Sequence, residues 1–106
     1  MYSVPEALKQ KVYSLVKQVP AGKVTTYGAI AKVLSINPRV VGNALHLNES
    51  SDVPCHRVVN AVGRISPSFG LGGPAEQKQR LEDEGVSFKN EKHVDLSIHL
   101  FTLNKF

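Results

Sequence analysis

A second cysteine is missing from this 106-residue sequence, which rules out an intramolecular disulfide framework. One cysteine also falls short of the Cys/His multiplicity of a structural zinc site. The four histidines, His46, His56, His93 and His99, are scattered without metal-ligand spacing, so neither a metal nor a cofactor is expected. No apolar stretch approaches the roughly 20 residues that cross a bilayer. Met1-Tyr2-Ser3-Val4-Pro5-Glu6 lacks both a cationic start followed by an apolar run and a cleavage site. Internal repeats and low-complexity tracts are absent as well. The expectation is a soluble, intracellular (cytoplasmic) protein in a reducing compartment. Residues 1–106 should form one domain, since the length suits one modest core and no second.

What is present is a basic balance, with a formal net charge of +4 and a pI near 9.4. Contact with phosphates is permitted by such a charge without being proved by it. The one cysteine stands in Val53-Pro54-Cys55-His56-Arg57-Val58-Val59. Thiolate is the nucleophilic form, and adjacent cationic or basic groups can pull a thiol below its ordinary pKa of roughly 8.5. Cys55 beside His56 and Arg57 is therefore a candidate nucleophile with a candidate base. The plainer reading is a small buried hydrophobe among Val53, Val58 and Val59. Pro54 argues against it by holding Val53 extended and stiffening the approach to Cys55, and the polar pair His56-Arg57 is out of place in an apolar strand.

Ser3 and Glu6 make a capping-box pattern ahead of Leu8, Val12, Leu15, Val16 and Val19, whose spacing predicts a first helix ending near Val19. Pro20-Ala21-Gly22 is a turn, and Lys23-Val24-Thr25 is either a strand stub or the approach to a second helix. Tyr27, Ile30, Ala31 and Leu34 share one face of a short helix capped by Thr25 or Thr26. Ser35-Ile36-Asn37 breaks it. Pro38 opens another helix, with Val41, Ala44 and Leu45 inward and Arg39, Gly42, Asn43 and His46 outward. Two short helices joined by a tight turn describe a helix-turn-helix. Gly42 and Ala44 keep the second helix slim, which suits a nucleic-acid groove, although a packed helix pair is the commoner use of the pattern.

Asn48 falls in a polar turn that its side chain can lock. Val58-Val59, the turn at Asn60-Ala61-Val62-Gly63, and Arg64-Ile65-Ser66 predict a small hairpin, a wing beside the helix pair. Residues 67–74 carry three glycines and two prolines and form a loop. No Lys-Ser/Thr follows it at phosphate-cradling spacing. Ala75 to Glu84 reads as a polar helix stopped by Gly85. Val94, Leu96, Ile98 and Leu100 alternate strictly with polar residues and predict a strand.

Taken in order, Gly22-Lys23-Val24-Thr25-Thr26-Tyr27-Gly28, Asn37-Pro38-Arg39-Val40-Val41-Gly42-Asn43-Ala44, Asn48, Pro54-Cys55-His56-Arg57-Val58-Val59 and Glu84-Gly85-Val86 resemble the DNA-binding and catalytic domain of the O6-alkylguanine-DNA alkyltransferases, the methylated-DNA–protein-cysteine methyltransferases. The Pro-Cys-His-Arg-Val run is a specific signature, and the resemblance spans roughly residues 5 to 88. It implies an α/β but mostly α, winged helix-turn-helix-like domain with a small β-hairpin wing, without the N-terminal domain of longer members.

The implied activity is a single-turnover methyltransferase that enters the minor groove, flips the damaged guanine and takes its alkyl group irreversibly onto Cys55. By the same resemblance His56 would deprotonate Cys55 through a water, Glu84 would orient His56, and Asn48 would brace the turn. Arg39 would fill the space of the flipped base. Tyr27 would press on a phosphate and offer its hydroxyl to the guanine. The implied DNA-binding set is Thr26, Tyr27, Arg39, Gly42, Asn43, Ala44 and His46, and the implied substrate pocket is Arg57, Val58, Gly70, Leu71 and Gly72. The implied partner is double-stranded DNA containing O6-alkylguanine, met by a monomer with no metal, no cofactor and no membrane.

Phe69-Gly70-Leu71-Gly72-Gly73 departs from the family by lacking the tyrosine or serine that many active members have before paired glycines. Short length, Gly63-Arg64-Ile65-Ser66, Gln77-Lys78-Gln79-Arg80-Leu81-Glu82 and Val94-Asp95-Leu96 are similar to the alkyltransferase-like proteins, which bind alkylated guanine without repair and pass it to nucleotide excision repair proteins. Those usually carry tryptophan at the cysteine position. The joint presence of Asn48, Cys55, His56 and Glu84 favours repair over sensing.

Overall fold

The computed structural model describes residues 3–67, 69–70 and 72–104. Helix α1 spans Glu6–Lys17 and buries Val12, Leu15 and Val16 completely. The expected capping box does not form. Pro5 occupies the N-cap position, no side chain caps the helix, and Glu6 is its first residue, engaged with Gln10 and Lys9. Proline fixes the entry to the helix and leaves Ser3 too far upstream to act as a cap. Tyr13, buried, donates its hydroxyl to the Ala44 carbonyl at 2.7 Å and so ties α1 to the third helix.

A two-residue strand β1 (Thr25–Thr26) leads directly into α2 (Tyr27–Leu34). The Thr26 hydroxyl accepts from the Ala29 N–H at 3.0 Å, the cap that fixes where α2 begins. Ser35 closes α2 in the left-handed region, and Asn37 Oδ1 accepts from the Arg39 N–H at 2.8 Å to open α3 (Pro38–His46). Ile30, Ala31, Val41 and Ala44 meet in the core as the spacing predicts. The helix-turn-helix is present.

Strand β2 (Val58–Val59) pairs parallel with β1, Thr25 opposite Val58 and Thr26 opposite Val59. The expected turn after β2 exists: Asn60 N–H bonds the Arg64 carbonyl, and Asn60 Oδ1 accepts from Val62 and Arg64. Its outgoing arm does not return to β2 as a regular hairpin. Arg64 bridges to His93 and the Ile65 N–H bonds the Lys92 carbonyl. Gly63 (φ +87) makes this crossing possible, since a Cβ there would lie 2.6 Å from the Val94 carbonyl oxygen.

Helix α4 runs Gly73–Asp83, two residues earlier than predicted, with Glu84 as its C-cap and Gly85 beyond it at φ +87. The predicted strand over 94–100 is largely replaced. Val94 and Leu100 make isolated bridges, but Leu96–His99 is one helical turn, α5, started by Asp95 accepting from the Ser97 N–H. A local cap has outcompeted extended geometry, and the alternation maps onto no buried face, for Ile98 is 57% exposed.

Two apolar clusters result. One joins α1, α2 and α3 to Val53, Cys55, Val58 and Phe69; the other gathers Val24, Val59, Ile65, Leu81, Val86 and Val94. The segment from Cys55 to Val59 passes from the first cluster to the second, so both cores hold it in place. Among the described residues no helix is long and apolar enough to cross a membrane.

Candidate active site and nucleic-acid interface

Cys55, His56 and Arg57 form a single 3-10 turn. Proline at 54 has no N–H to satisfy, and its carbonyl accepts from the Arg57 N–H at 3.0 Å. Asn48 Nδ2 donates to Cys55 Sγ at 3.3 Å and to the Ser50 carbonyl at 2.9 Å, while its Oδ1 accepts from the Ser50 N–H. One amide thus closes the preceding turn and touches the sulfur.

The Cys55 thiol is pushed above its ordinary pKa by burial, against the opposing pull of Asn48, a backbone hydrogen bond and Arg80. This reverses the expectation of a depressed thiol. Arg57, expected beside the sulfur and in the pocket, is committed elsewhere. Its Nε and Nη2 fork onto Glu84 at 3.0 and 2.6 Å, and Nη1 donates to the Val19 carbonyl at 2.8 Å. Sequence adjacency placed its charge near the thiol; the turn aims it at α4.

His56 Nε2 lies 3.0 Å from Glu84 Oε2. Burial pushes the Glu84 carboxyl upward, but hydrogen bonds and charge from Arg57 and His56 outweigh it and hold the carboxyl below its ordinary range. An ionised Glu84 only accepts, so His56 donates to it from Nε2, and Nδ1 is the ring nitrogen that Glu84 does not engage.

Two cavities flank the turn. The larger, about 630 Å³, lies under the outward face of α3 and is walled by Tyr27, Arg39, Gly42, Asn43, His46, Asn48, Cys55, Asn60, Ser66, Phe69 and Gly70, among others. The other, about 410 Å³, lies behind and is lined by Lys17, Ser50, Asp52, Pro54, His56, Arg57 and Arg80 among others. Cys55 belongs to the first cavity and His56 to the second. Burial pushes the Tyr27 phenol upward in pKa, its hydrogen bond with the Ser66 side chain works against this, and the phenol stays protonated at neutral pH.

Several expected site residues sit elsewhere. Ala44 is fully buried, facing α1, so it is not on the outward face. Thr26 spends its hydroxyl on the cap of α2 and does not wall the cavity. Val58 is fully buried in the core, its carbonyl accepting from Gln77. Gly72 precedes α4 at φ +126, against Glu76. Leu71 lies outside the described residues. Asn60, Ser66, Phe69 and Gln77 were missed. Gln77 has a signal in the sequence, since it shares a helical face with Leu81 and Glu84 at i, i+4 and i+7.

The family model described as the DNA-binding domain of 6-O-methylguanine DNA methyltransferase matches residues 7–86. Alkyltransferase-like protein 1 of Schizosaccharomyces pombe is 47% identical over 79 residues, 72% of this chain and 73% of that one. The DNA base-flipping protein of Escherichia coli is 43% identical over 97 residues, 86% of this chain and 71% of that one. The methylated-DNA–protein-cysteine methyltransferase of Methanocaldococcus jannaschii is 45% identical over 92 residues, 84% of this chain and 53% of the relative. The crystal structure of S. pombe Atl1 in complex with damaged DNA containing O6-carboxymethylguanine superposes with a TM-score of 0.81 at 36% identity, covering 93% of this chain and 98% of that one. Relatives named for methyl transfer and relatives named for base flipping or alkyltransferase likeness are thus both similar to this chain.

Proposed function

The chain belongs to the O6-methylguanine-DNA methyltransferase family, and from that premise we propose that it repairs DNA by taking the alkyl group of an O6-alkylguanine onto Cys55. The observation that carries this reading is the position of the thiol. Cys55 Sγ is held by Asn48 at 3.3 Å in the wall of a cavity that also carries Tyr27 and Arg39.

Arg39, exposed at the start of α3, fills the stack that the extruded guanine leaves, and the slim Gly42–Asn43 face lies against the minor groove. Asn43 and His46 continue that face, and Gly70 lets the pocket wall approach the base.

With its raised pKa the resting thiol is protonated, so its proton must leave as the sulfur attacks. His56 Nδ1 accepts that proton through a water, Glu84 and Arg57 hold the imidazole, and the rear cavity returns the proton to solvent. The S–C bond forms as the C–O6 bond breaks, leaving the electron pair on guanine. Tyr27, a protonated phenol, donates to the departing guanine and is reprotonated from water. No step regenerates the thiol, which makes each molecule act once.

A second reading is favoured by the superposition over 98% of Atl1 bound to damaged DNA. On that reading the same cavity holds the alkylated base without transfer, and the complex is a signal for nucleotide excision repair proteins. The two separate in one assay with duplex bearing tritiated O6-methylguanine. Repair moves one methyl per chain onto protein, whereas sensing leaves all of it on DNA despite lesion-selective binding.

A further inference from the structure

Gln77 is fully buried and yet uses all of its amide. Its Nε2 donates to the carbonyls of His56 and Val58, each at 3.1 Å, and its Oε1 accepts from the Ser66 N–H at 2.7 Å. Those partners fix which way the amide faces. They also join two parts of the site, since His56 lies in the turn that carries Cys55 and Val58 directly follows it, while Ser66 walls the larger cavity and its side chain bonds Tyr27.

We propose that Gln77 is a positioning residue for alkyl transfer: from α4 it locks the Cys55 turn and the Ser66–Tyr27 wall at the separation that lines the sulfur up with the alkyl carbon. The inference rests on the repair reading and deepens it. An apolar side chain of the same length would take from two carbonyls and an N–H the hydrogen bonds that Gln77 gives them. A carboxylate would accept from Ser66 but repel both carbonyls. A protonated carboxyl would restore the acceptor and one donor.

The test compares Gln77→Met and Gln77→Glu with the wild type in two assays. One is single-turnover methyl transfer at saturating O6-methylguanine duplex. The other is iodoacetamide labelling of Cys55 in DNA-free protein, with folding checked by thermal melting. Gln77→Met should bind the lesion duplex nearly as well as the wild type, transfer about tenfold more slowly, and label about tenfold faster as the turn loosens. Gln77→Glu should share these defects at about pH 8.5 and recover towards the wild type at about pH 6, because burial keeps its carboxyl protonated there. A role in bulk stability alone lowers the melting temperature and leaves transfer and labelling of the folded variants unchanged.

Transfer and labelling within about twofold of the wild type in either folded variant would overturn the proposal, as would a Gln77→Glu pH profile parallel to that of the wild type. Wild-type protein that accepts no methyl group defeats the repair reading alone, and the labelling arm still decides whether Gln77 sets the turn.

Discussion

Cys55 and His56 are adjacent in sequence but line different cavities, the thiol under α3 and the imidazole behind the turn. A 3-10 turn separates neighbouring side chains by about 120°, so adjacency alone puts nucleophile and base on different faces. On the repair reading, alkyl group and proton would therefore travel in different directions from one turn.

Cys55→Ser removes the acceptor and keeps the shape of the cavity. Methyl transfer should fall to background while the affinity for lesion duplex stays within about threefold, as expected when only a reacting atom is lost. Transfer that persists in this variant would place the acceptor elsewhere.

The raised thiol pKa predicts how Cys55 titrates. Iodoacetamide labelling should be slower at neutral pH than for a free thiol, whose pKa is roughly 8.5, and should still be climbing above about pH 9. A labelling rate that levels off near pH 7 would show a thiolate at rest and remove the need for His56 as a base.

Arg39 is exposed at the N-terminus of α3 and walls the cavity. Arg39→Ala should weaken binding to an O6-methylguanine duplex about tenfold and binding to the same single strand far less, because only the duplex has a stack to refill. Gel-shift titrations of both substrates decide it; equal losses would make Arg39 a plain phosphate contact.

The fork of Arg57 on Glu84 predicts an acid-sensitive stability. Glu84 has its folded pKa held down, so its contribution is present above the unfolded value of about 4.3 and is lost as pH falls through the folded value. Glu84→Gln should therefore lower Tm by about 10 °C at neutral pH, from a loss of about 2 kcal/mol, with the gap to wild type closing below about pH 4. A gap that stays constant from neutral pH to about pH 3 would show that the ion pair is not the source.

Much of the helix pair was legible in the sequence. Thr26, Asn37 and Pro38 carry capping chemistry that acts locally, and Ile30, Ala31, Val41 and Ala44 follow the helical period, so the helix pair could be placed from its own residues. The strand over 94–100 could not, because Asp95 and Ser97 form a cap that period-2 counting overlooks. The site around Cys55 was legible in its residues and not in its directions. Cys55, Asn48, His56 and Glu84 were named, but the destination of Arg57 depends on α4 and Val19, 27 and 38 residues away along the chain. Gln77 gave only its helical phase, since its value lies wholly in carbonyls that the fold brings to it.

The central claim is that Cys55 is an alkyl acceptor. Purified protein incubated with a duplex containing O6-methylguanine, followed by intact and peptide mass measurement, tests it most directly. One added methyl, found on the peptide containing Cys55 and absent with unmodified duplex, is the predicted result. Unchanged mass in protein that binds the lesion duplex selectively would contradict it and leave a damage sensor that has kept its cysteine.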